Sequence, residues 1–317
     1  MTNLNQLNDV EGVQEGVPQY VWQFNGDEPG PTVTVMGGLH GNETVGIDVV
    51  EKLLAVVREK IKIGTVNIIV GNPAAAEAGK RFIDKDANRL WGGKLVNIPE
   101  QERVEELKPF LAQSDLMLDL HSTIKPVDEP FLVVPSFDNS MVDTIPTLGI
   151  RKIITGEGLK LPDNDPIESD LFTVANGGLG VTIEAGWQED NNLVDKTMDS
   201  VLRALEEVGI FEKDSLAKHN QVEVVETFEI WNAYSAIFPK GNFQFPDGKE
   251  WQNYDVVKKG EIIGYENGEP VVAEKDSRLL FPKSNNQIVT GERACILLDM
   301  KPKHVGKDYF KSQKHGK

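Results

Sequence analysis

The alternation of strand-like and helix-like segments before residue 210 is the feature that most restricts the fold of this chain. Short β-rich runs, such as 32–36 and 66–70, alternate with segments whose apolar residues recur at helical spacing. Parallel strands need a crossover connection, which is usually a helix. The pattern therefore predicts an α/β fold with a mostly parallel or mixed sheet and helices on both faces.

The individual elements of this region are predicted from the same periodicities. A helix is expected over 43–60, because Val45, Val49, Leu53 and Val57 would share one face. The remaining predicted elements are helices at 99–112 and 191–208 and strands at 116–120, 131–134 and 179–183.

After Gly209 the chain consists of short β-rich segments interrupted by glycine and proline, with no clear amphipathic helix. This punctuation is typical of a small all-β unit. We therefore predict two domains, a larger α/β domain over residues 1–212 and a β-rich C-terminal domain over residues 213–317. A strand beginning at Val222 is expected near the start of the second domain.

The charge balance excludes several classes of partner. The 317 residues include 33 Lys+Arg and 50 Asp+Glu, which gives a formal charge of −17. Nucleic acids and anionic membranes need a basic protein face, so neither is an expected partner. The polar N-terminus lacks a signal-peptide pattern, and no apolar run approaches the ~20 residues of a membrane span. We therefore expect a cytoplasmic protein.

The single cysteine, Cys295, cannot form an internal disulfide or a thiolate-rich zinc site. It lies in the apolar run 294–298, where the sequence provides no neighbour that would activate a thiol. We expect Cys295 to pack inside a buried strand and not to act as a nucleophile.

Polar residues cluster at the C-terminal ends of the predicted strands in the first domain. In open α/β sheets the ligand crevice lies outside those strand ends. Residues that are distant in sequence are therefore expected to meet in one site. The four clusters are 39–43, 72–73, 119–121 and 183–186.

His40, Glu43 and His121 are candidate metal ligands within these clusters. Two imidazoles and one carboxylate, with a fourth position for water, form a catalytic type of zinc site. The spacing of His40 and Glu43 alone is a weak signal, because a loop histidine followed by a first-turn helix acid is also common. The location of His121 at another strand end favours the metal hypothesis.

Two further acids lie beside these candidates. Asp119 is two residues before His121 on the same strand, where it would either orient a ligating imidazole or face solvent. Glu184 ends a buried strand, where desolvation would raise the pKa of its carboxyl toward the range useful for proton transfer. An ordinary strand-end acid explains Glu184 equally well.

The stretch 81–89 concentrates Arg81, Asn88 and Arg89 beside several acids. Arginine suits bidentate recognition of a carboxylate and the stabilisation of a developing oxyanion. A solvated charged loop with internal ion pairs is the more frequent explanation, and composition alone leaves the choice open.

Five motifs in this order resemble the succinylglutamate desuccinylase/aspartoacylase family, relatives of the zinc carboxypeptidases. The resemblance extends over most of residues 30–190, and the β-rich C-terminal part looks like the second domain of the family, without a sharp motif. The motifs are Gly37-Gly38-Leu39-His40-Gly41-Asn42-Glu43, Asn72-Pro73, Arg81 through Asn88-Arg89, Asp119-Leu120-His121-Ser122-Thr123 and Ile183-Glu184-Ala185-Gly186.

The resemblance implies a zinc-carboxypeptidase-like fold and one Zn²⁺ per chain, held by His40, Glu43 and His121. It further implies that Glu184 is the general base and acid toward metal-activated water. Arg81 would polarise the carbonyl of the bond that is cleaved.

The resemblance also implies that Asn88 and Arg89 bind a carboxylate of the substrate. It implies that other substrate contacts come from a mid-chain loop and from the C-terminal domain. Tyr234, Tyr254 and Tyr265 are candidates, and none is preferred.

The activity implied by the resemblance is zinc-dependent hydrolysis of the amide bond of an N-acyl amino acid, a small anionic substrate. A homo-oligomer is compatible with the sequence. A zinc carboxypeptidase that acts on short peptides is one alternative, because it would use the same metal ligands. A non-catalytic carrier protein is another, because residues 255–282 faintly resemble a biotinyl/lipoyl-carrier β-sandwich with Lys275 near a turn.

Overall fold

The computed structural model confirms the predicted α/β class. Its described residues form one large mixed sheet with helices on both faces, and a three-stranded sheet follows in the C-terminal third. The described residues are 4–7, 16–92, 97–123, 129–160, 168–213 and 225–314.

The strands and helices are numbered in chain order. The strands are β1 Val21–Asn25, β2 Glu28–Gly37, β3 Ile63–Val70, β4 Leu116–Thr123, β5 Phe131–Val133, β6 Lys152–Thr155, β7 Leu179–Trp187, β8 Thr227–Ile237, β9 Phe243–Gln244, β10 Val256–Val257, β11 Ile262–Glu266, β12 Glu269–Val272, β13 Ser277–Leu280, β14 Cys295–Asp299 and β15 Lys303–Gly306. The α-helices are α1 Leu4–Leu7, α2 Thr44–Lys60, α3 Pro73–Glu77, α4 Pro99–Ala112, α5 Ser169–Ala175, α6 Leu193–Glu207 and α7 Asp308–Ser312.

The order of strands in the large sheet brings the predicted polar clusters to one edge. The order begins β1-β3-β2-β4-β7-β5-β6-β8. Strands β3, β2, β4 and β7 run parallel, whereas β1 and β5 are antiparallel to β3 and β7. The C-terminal ends of β2, β4 and β7 therefore lie side by side.

Helices cover both faces of this sheet, as the sequence predicts. On one face, α2 and α6 pack on a core that includes Val35, and on the other face α4 packs on a core that includes Met36. These two residues are consecutive on β2, so their side chains point to opposite faces. The predicted inner residues of α2, Val45, Val49, Leu53 and Val57, are all buried.

The observed strands continue further than predicted at two positions that matter for the site. β4 continues through His121 to Thr123, and β7 continues through Glu184 to Trp187. His121 and Glu184 are register partners in the pairing of these two strands. Both side chains are therefore held by the sheet and not by loops.

Strand β8 links the two predicted domains. Its first half pairs in parallel with β6, and its second half pairs antiparallel with β14 of the C-terminal part. The predicted boundary between residues 212 and 213 remains a prediction, since residues 214–224 lie outside the described residues. The predicted strand start at Val222 lies in the same segment, and the described strand begins at Thr227.

Two glycines let α2 begin close to the ends of β2 and β4. A β-carbon on Gly37 would overlap the carbonyl oxygen of Gly46, and a β-carbon on Gly46 would lie 2.8 Å from the carbonyl oxygen of Leu120. A larger residue at either position would push α2 away from the sheet. This close approach carries Glu43, which directly precedes α2, to the strand ends.

None of the helices in the described part of the chain has the length and hydropathy needed to span a bilayer.

Cys295 lies on β14 and is fully buried, as the sequence predicts. Burial raises the pKa of its thiol to about 12. At pH 8 only about one molecule in 10⁴ would carry the reactive thiolate. We expect no reaction of the native protein with a thiol-specific disulfide reagent, and one thiol per chain after denaturation. Rapid labelling of the native protein would contradict the buried position of β14.

Candidate metal centre and active site

The three candidate ligands come together from separate elements. His40 lies in the loop between β2 and α2, Glu43 directly precedes α2, and His121 lies on β4. All three side chains are buried, and one donor atom of each lies within 4.8 Å of the others. The sequence prediction that they meet at one position is confirmed by this geometry.

The contacts among these side chains are short. His40 Nδ1 lies 2.9 Å from Glu43 Oε1, and His121 Nδ1 lies 3.0 Å from Glu43 Oε2. The two Nδ1 atoms are 3.1 Å apart. The backbone N–H of Ser122 also donates to Glu43 Oε2 over 3.1 Å, which fixes the carboxylate.

The outer nitrogen of each imidazole faces a second carboxylate. His40 Nε2 lies 3.1 Å from Asp86 Oδ1, and His121 Nε2 lies 3.1 Å from Asp119 Oδ2. An ionised carboxylate only accepts hydrogen bonds, so it favours the tautomer with the proton on Nε2. In that tautomer both Nδ1 atoms and the Glu43 carboxylate present lone pairs to the same point, which is the arrangement a metal ion requires.

The charges around the cluster favour added positive charge. Burial lowers the pKa of His40 and of His121, but neighbouring carboxylates outweigh burial and raise both values. Burial raises the pKa of Glu43, but the two imidazoles outweigh it and lower the value. Either imidazolium protons or one divalent cation can supply the positive charge that these carboxylates favour.

The donor types restrict the choice of metal. Mg²⁺ and Ca²⁺ prefer oxygen ligands, whereas imidazole suits zinc and other first-row transition metals. Two imidazoles with one carboxylate are also the protein ligands of a common class of catalytic zinc sites. The buried group of His40, Glu43 and His121 could therefore hold a metal ion of this kind.

Glu184 lies beside the candidate metal centre as the register partner of His121. Burial raises the pKa of its carboxyl to about 7; His121 opposes the rise and Glu43 adds to it. On the other neighbouring strand its register partner is Phe131, whose ring is fully buried. The apolar neighbour and the nearby carboxylate leave Glu184 able to hold or release a proton near neutral pH.

Arg81 reaches the same centre from the loop after α3. Its Nη1 lies 3.0 Å from Glu43 Oε1, and its Nη2 lies 3.3 Å from Asp86 Oδ2. The side chain is 40% exposed, so the guanidinium borders solvent while two carboxylates hold its nitrogens. The role of Arg81 toward a substrate carbonyl remains a prediction.

Asn88 and Arg89 have partners within the chain. The Asn88 side-chain oxygen accepts a hydrogen bond of 2.9 Å from the Ser169 backbone N–H. Arg89 Nη1 lies 2.9 Å from Glu168 Oε1 and donates to the Asn88 carbonyl over 2.6 Å. Their predicted role in binding a substrate carboxylate remains a prediction, but the structure adds an internal carboxylate beside Arg89.

Asp86 was not predicted as a contact of His40. Asp119 was predicted as a residue that could orient His121, but no acid was predicted to orient His40. Because ligating imidazoles usually donate to a carboxylate or carbonyl, the acids in the stretch 81–89 were available candidates.

Tyr254, one of the three candidate tyrosines, packs against the register partner of Glu184. Its ring centroid lies 6.4 Å from that of Phe131, the register partner of Glu184. Tyr234 lies under Lys275 and donates to or accepts from Ser277, and Tyr265 lies on β11 of the small sheet. Tyr254 is therefore the best placed of the three.

Comparisons with known proteins identify the family and agree with the fold. The model of the succinylglutamate desuccinylase/aspartoacylase catalytic domain matches residues 29–208. A succinylglutamate desuccinylase of Pseudomonas putida is 27% identical over 295 residues, which cover 86% of this chain and 84% of that protein. One from Shewanella denitrificans is 23% identical and covers 93% of this chain and 89% of the relative.

Solved structures show the same fold. The crystal structure of the succinylglutamate desuccinylase from Vibrio cholerae superimposes with a TM-score of 0.70 at 18% sequence identity. The match covers 90% of this chain and 89% of that chain. The enzyme of that name from Vibrio parahaemolyticus gives a TM-score of 0.69 at 19% identity, with 90% and 86% of the two chains covered.

Removal of one imidazole tests the candidate metal centre. We expect the wild-type protein, dialysed against zinc and then freed of loosely bound ions, to retain about one zinc ion per chain. His121→Ala should retain far less, because two of three protein donors cannot hold the ion tightly. Elemental analysis measures both.

The matched control is His304→Ala, which removes an exposed histidine on β15. Its zinc content should equal that of the wild type. Full zinc content in His121→Ala would show that the ion binds elsewhere.

Proposed function

The chain belongs to the succinylglutamate desuccinylase/aspartoacylase family, and on this premise we propose that it is a zinc-dependent deacylase that hydrolyses the amide bond of an N-acyl amino acid. The observation that carries the proposal is the convergence of His40, Glu43 and His121 in a buried position, with Glu184 as the register partner of His121. Hydrolases of this kind need a metal and a proton-transfer group in one place.

A bound zinc ion supplies Lewis acidity, which makes water a better nucleophile near neutral pH. Glu184 then accepts the proton of the attacking water on its carboxylate. As the carbon–nitrogen bond breaks, the same carboxyl donates that proton to the leaving amine. A pKa raised to about 7 suits a group that must both accept and donate a proton.

Arg81 is proposed to stabilise the oxygen of the amide carbonyl as negative charge develops on it. The guanidinium carries a permanent charge, and its two contacts with Glu43 and Asp86 hold it in place before the reaction. A preorganised donor of this type commonly contributes about 3–4 kcal/mol to transition-state stabilisation.

The substrate class follows from the local charge. The whole chain has a formal charge of −17, so an anionic substrate needs a local positive region to bind. Arg81 and Arg89, together with a bound zinc ion, are proposed to supply that region, because each arginine also has a carboxylate partner within the chain. Arg89 is proposed to bind a carboxylate of the amino acid. Relatives named succinylglutamate desuccinylase support an N-acyl amino acid as the substrate class.

The two alternatives have less support. A peptidase would share the metal ligands, but the relatives are named as deacylases. For a carrier, Lys275 would be the residue to modify, but its Nζ is 2.5 Å from Asp299 Oδ1 and 3.7 Å from the centroid of the Tyr234 ring, and the relatives are named as enzymes.

The role of Glu184 predicts the effect of Glu184→Gln. We expect zinc content to stay at the wild-type value and kcat to fall by about 10²–10⁴, because the base and acid are lost while the metal ligands remain. Steady-state kinetics on acetyl-, succinyl- and longer-acyl amino acids, with dipeptides beside them, provide the measurement. Glu226→Gln, which removes an exposed acid, is the matched control.

Normal turnover by Glu184→Gln would contradict the assigned role. Turnover of the dipeptides alone by the wild type would instead favour the peptidase and overturn the proposed substrate class.

The raised pKa of Glu184 also predicts a pH dependence. Below its pKa the carboxyl holds a proton and cannot accept another, so kcat/KM should fall as the pH falls. A divalent cation opposes the rise that burial causes, so this acid limb should lie at or below the value of about 7 found for Glu184. A wild-type kcat/KM that does not fall on acidification below pH 7, at any pH at which the protein stays folded, would contradict the prediction.

A further inference from the structure

Two consecutive residues, Glu168 and Ser169, contact three residues that the sequence analysis had placed in the site. Ser169 begins α5, and the pair touches Asp119, Asn88 and Arg89. Ser169 is fully buried. No motif pointed to either residue, because neither resembles a ligand or a catalytic group in sequence.

We propose that Glu168 and Ser169 are positioning residues that hold the metal centre and the carboxylate-binding residues in a fixed relation. This inference rests on the proposed function. Ser169 would act on the metal centre through Asp119, and Glu168 would act on substrate binding through Arg89.

The Ser169 hydroxyl reaches the metal centre through one carboxylate oxygen. It donates to Asp119 Oδ2 over 2.5 Å, and the same oxygen lies 3.1 Å from His121 Nε2. Among the described residues, neither Asp119 Oδ1 nor His121 Nε2 has a partner with hydrogen-bond geometry, so the contact of Asp119 with His121 is electrostatic and its one hydrogen bond is to Ser169. The carboxylate is therefore held through Oδ2, and loss of the serine hydroxyl would free it to rotate away from His121.

The Ser169 backbone orients the neighbouring amide. Its N–H donates to Asn88 Oδ1 over 2.9 Å, so the amide oxygen of Asn88 is occupied. The Asn88 amino group, which is a donor only, is then the part that can be presented to a substrate carboxylate. This contact survives replacement of the Ser169 side chain.

Glu168 links two arginines. Its Oε1 lies 2.9 Å from Arg89 Nη1, and its Oε2 lies 3.1 Å from Arg293 Nη2. Arg293 is also anchored by a bond of 2.8 Å to the Leu159 carbonyl. Two guanidiniums share this carboxylate, and the carboxylates of Asp86, Asp170 and Glu292 also act on Arg89. Glu168 therefore fixes the position of the Arg89 guanidinium by contacts on two sides. Arg293 precedes β14 and connects the C-terminal part of the chain to this region.

The two residues should affect different measurements. Ser169→Ala should weaken zinc binding by about tenfold or more, as loss of a hydrogen-bond partner outside the ligand set commonly does. When zinc is saturating, the KM of Ser169→Ala for an N-acyl amino acid should stay at the wild-type value. Glu168→Gln should leave zinc affinity unchanged and raise KM for an N-acyl amino acid by about tenfold, because Arg89 loses a charged partner. Competition with a chromogenic chelator gives the zinc affinity, and steady-state kinetics give KM and kcat.

Matched controls separate positioning from loss of stability. Ser200→Ala removes a buried serine hydroxyl on α6 that donates to the Leu148 carbonyl over 2.7 Å. Glu106→Gln breaks an arginine–glutamate pair on α4, where Arg103 Nη1 lies 3.0 Å from Glu106 Oε2. Whatever their effect on the melting temperature, both controls should leave zinc affinity and KM at wild-type values.

A double-mutant cycle tests the route through Asp119. Ser169→Ala should weaken zinc binding in the wild-type background but have little further effect in an Asp119→Ala background. Additive effects of the two substitutions would show that Ser169 does not act through this carboxylate. The cycle needs only zinc, so it does not depend on the choice of substrate.

The outcomes distinguish the inference from the proposed function. Suppose that the wild-type protein binds zinc and cleaves N-acyl amino acids. If the two substitutions then leave zinc affinity and KM unchanged, or if each substitution changes both zinc affinity and KM, the inference is wrong and the proposed function stands. A lower KM in Glu168→Gln would also overturn it, since Glu168 would then compete with the substrate for Arg89. If the wild type neither binds zinc nor cleaves these substrates, the proposed function fails and the inference fails with it.

Discussion

The candidate site depends on one buried cluster of polar groups, in which two imidazole nitrogens and a carboxylate meet. Asp86 and Asp119 hold the outer nitrogens of His40 and His121, so the inner nitrogens are directed at Glu43. Buried carboxylates are costly unless positive charge compensates them. A divalent cation satisfies all three donors at once, and this makes the group a candidate metal centre and not a set of ordinary ion pairs.

The fold explains how residues far apart in sequence reach that position. Parallel strands place their C-terminal ends at one edge of the sheet, and the pairing of β4 with β7 sets His121 beside Glu184. The close contact of α2 with the sheet at Gly37 and Gly46 brings in Glu43. Packing and the candidate metal centre are therefore linked, since a substitution that moves α2 also moves Glu43, a candidate ligand.

Most of the α/β region and the three candidate ligands could be predicted from local patterns. Strand–helix periodicity and polar residues at strand ends are both features of consecutive residues, so a sequence alone displays them. Contacts that depend on tertiary structure were not predictable in this way. Asp86 is one of several acids in the stretch 81–89 and Ser169 has no local signature, so their contacts appear only when loops from different elements pack together. Strand β8 pairs with β6 of the α/β part and with β14 of the C-terminal part. A domain boundary drawn from sequence composition does not predict a strand that is shared in this way.

X-ray absorption spectroscopy of the zinc-loaded protein tests the central claim most directly. If His40, Glu43 and His121 hold the ion, we expect a first coordination shell of nitrogen and oxygen at about 2.0–2.2 Å, with the scattering pattern of two imidazoles and no sulfur. A shell made of oxygen alone, as for an ion on surface carboxylates, or one that contains sulfur from Cys295, would contradict it.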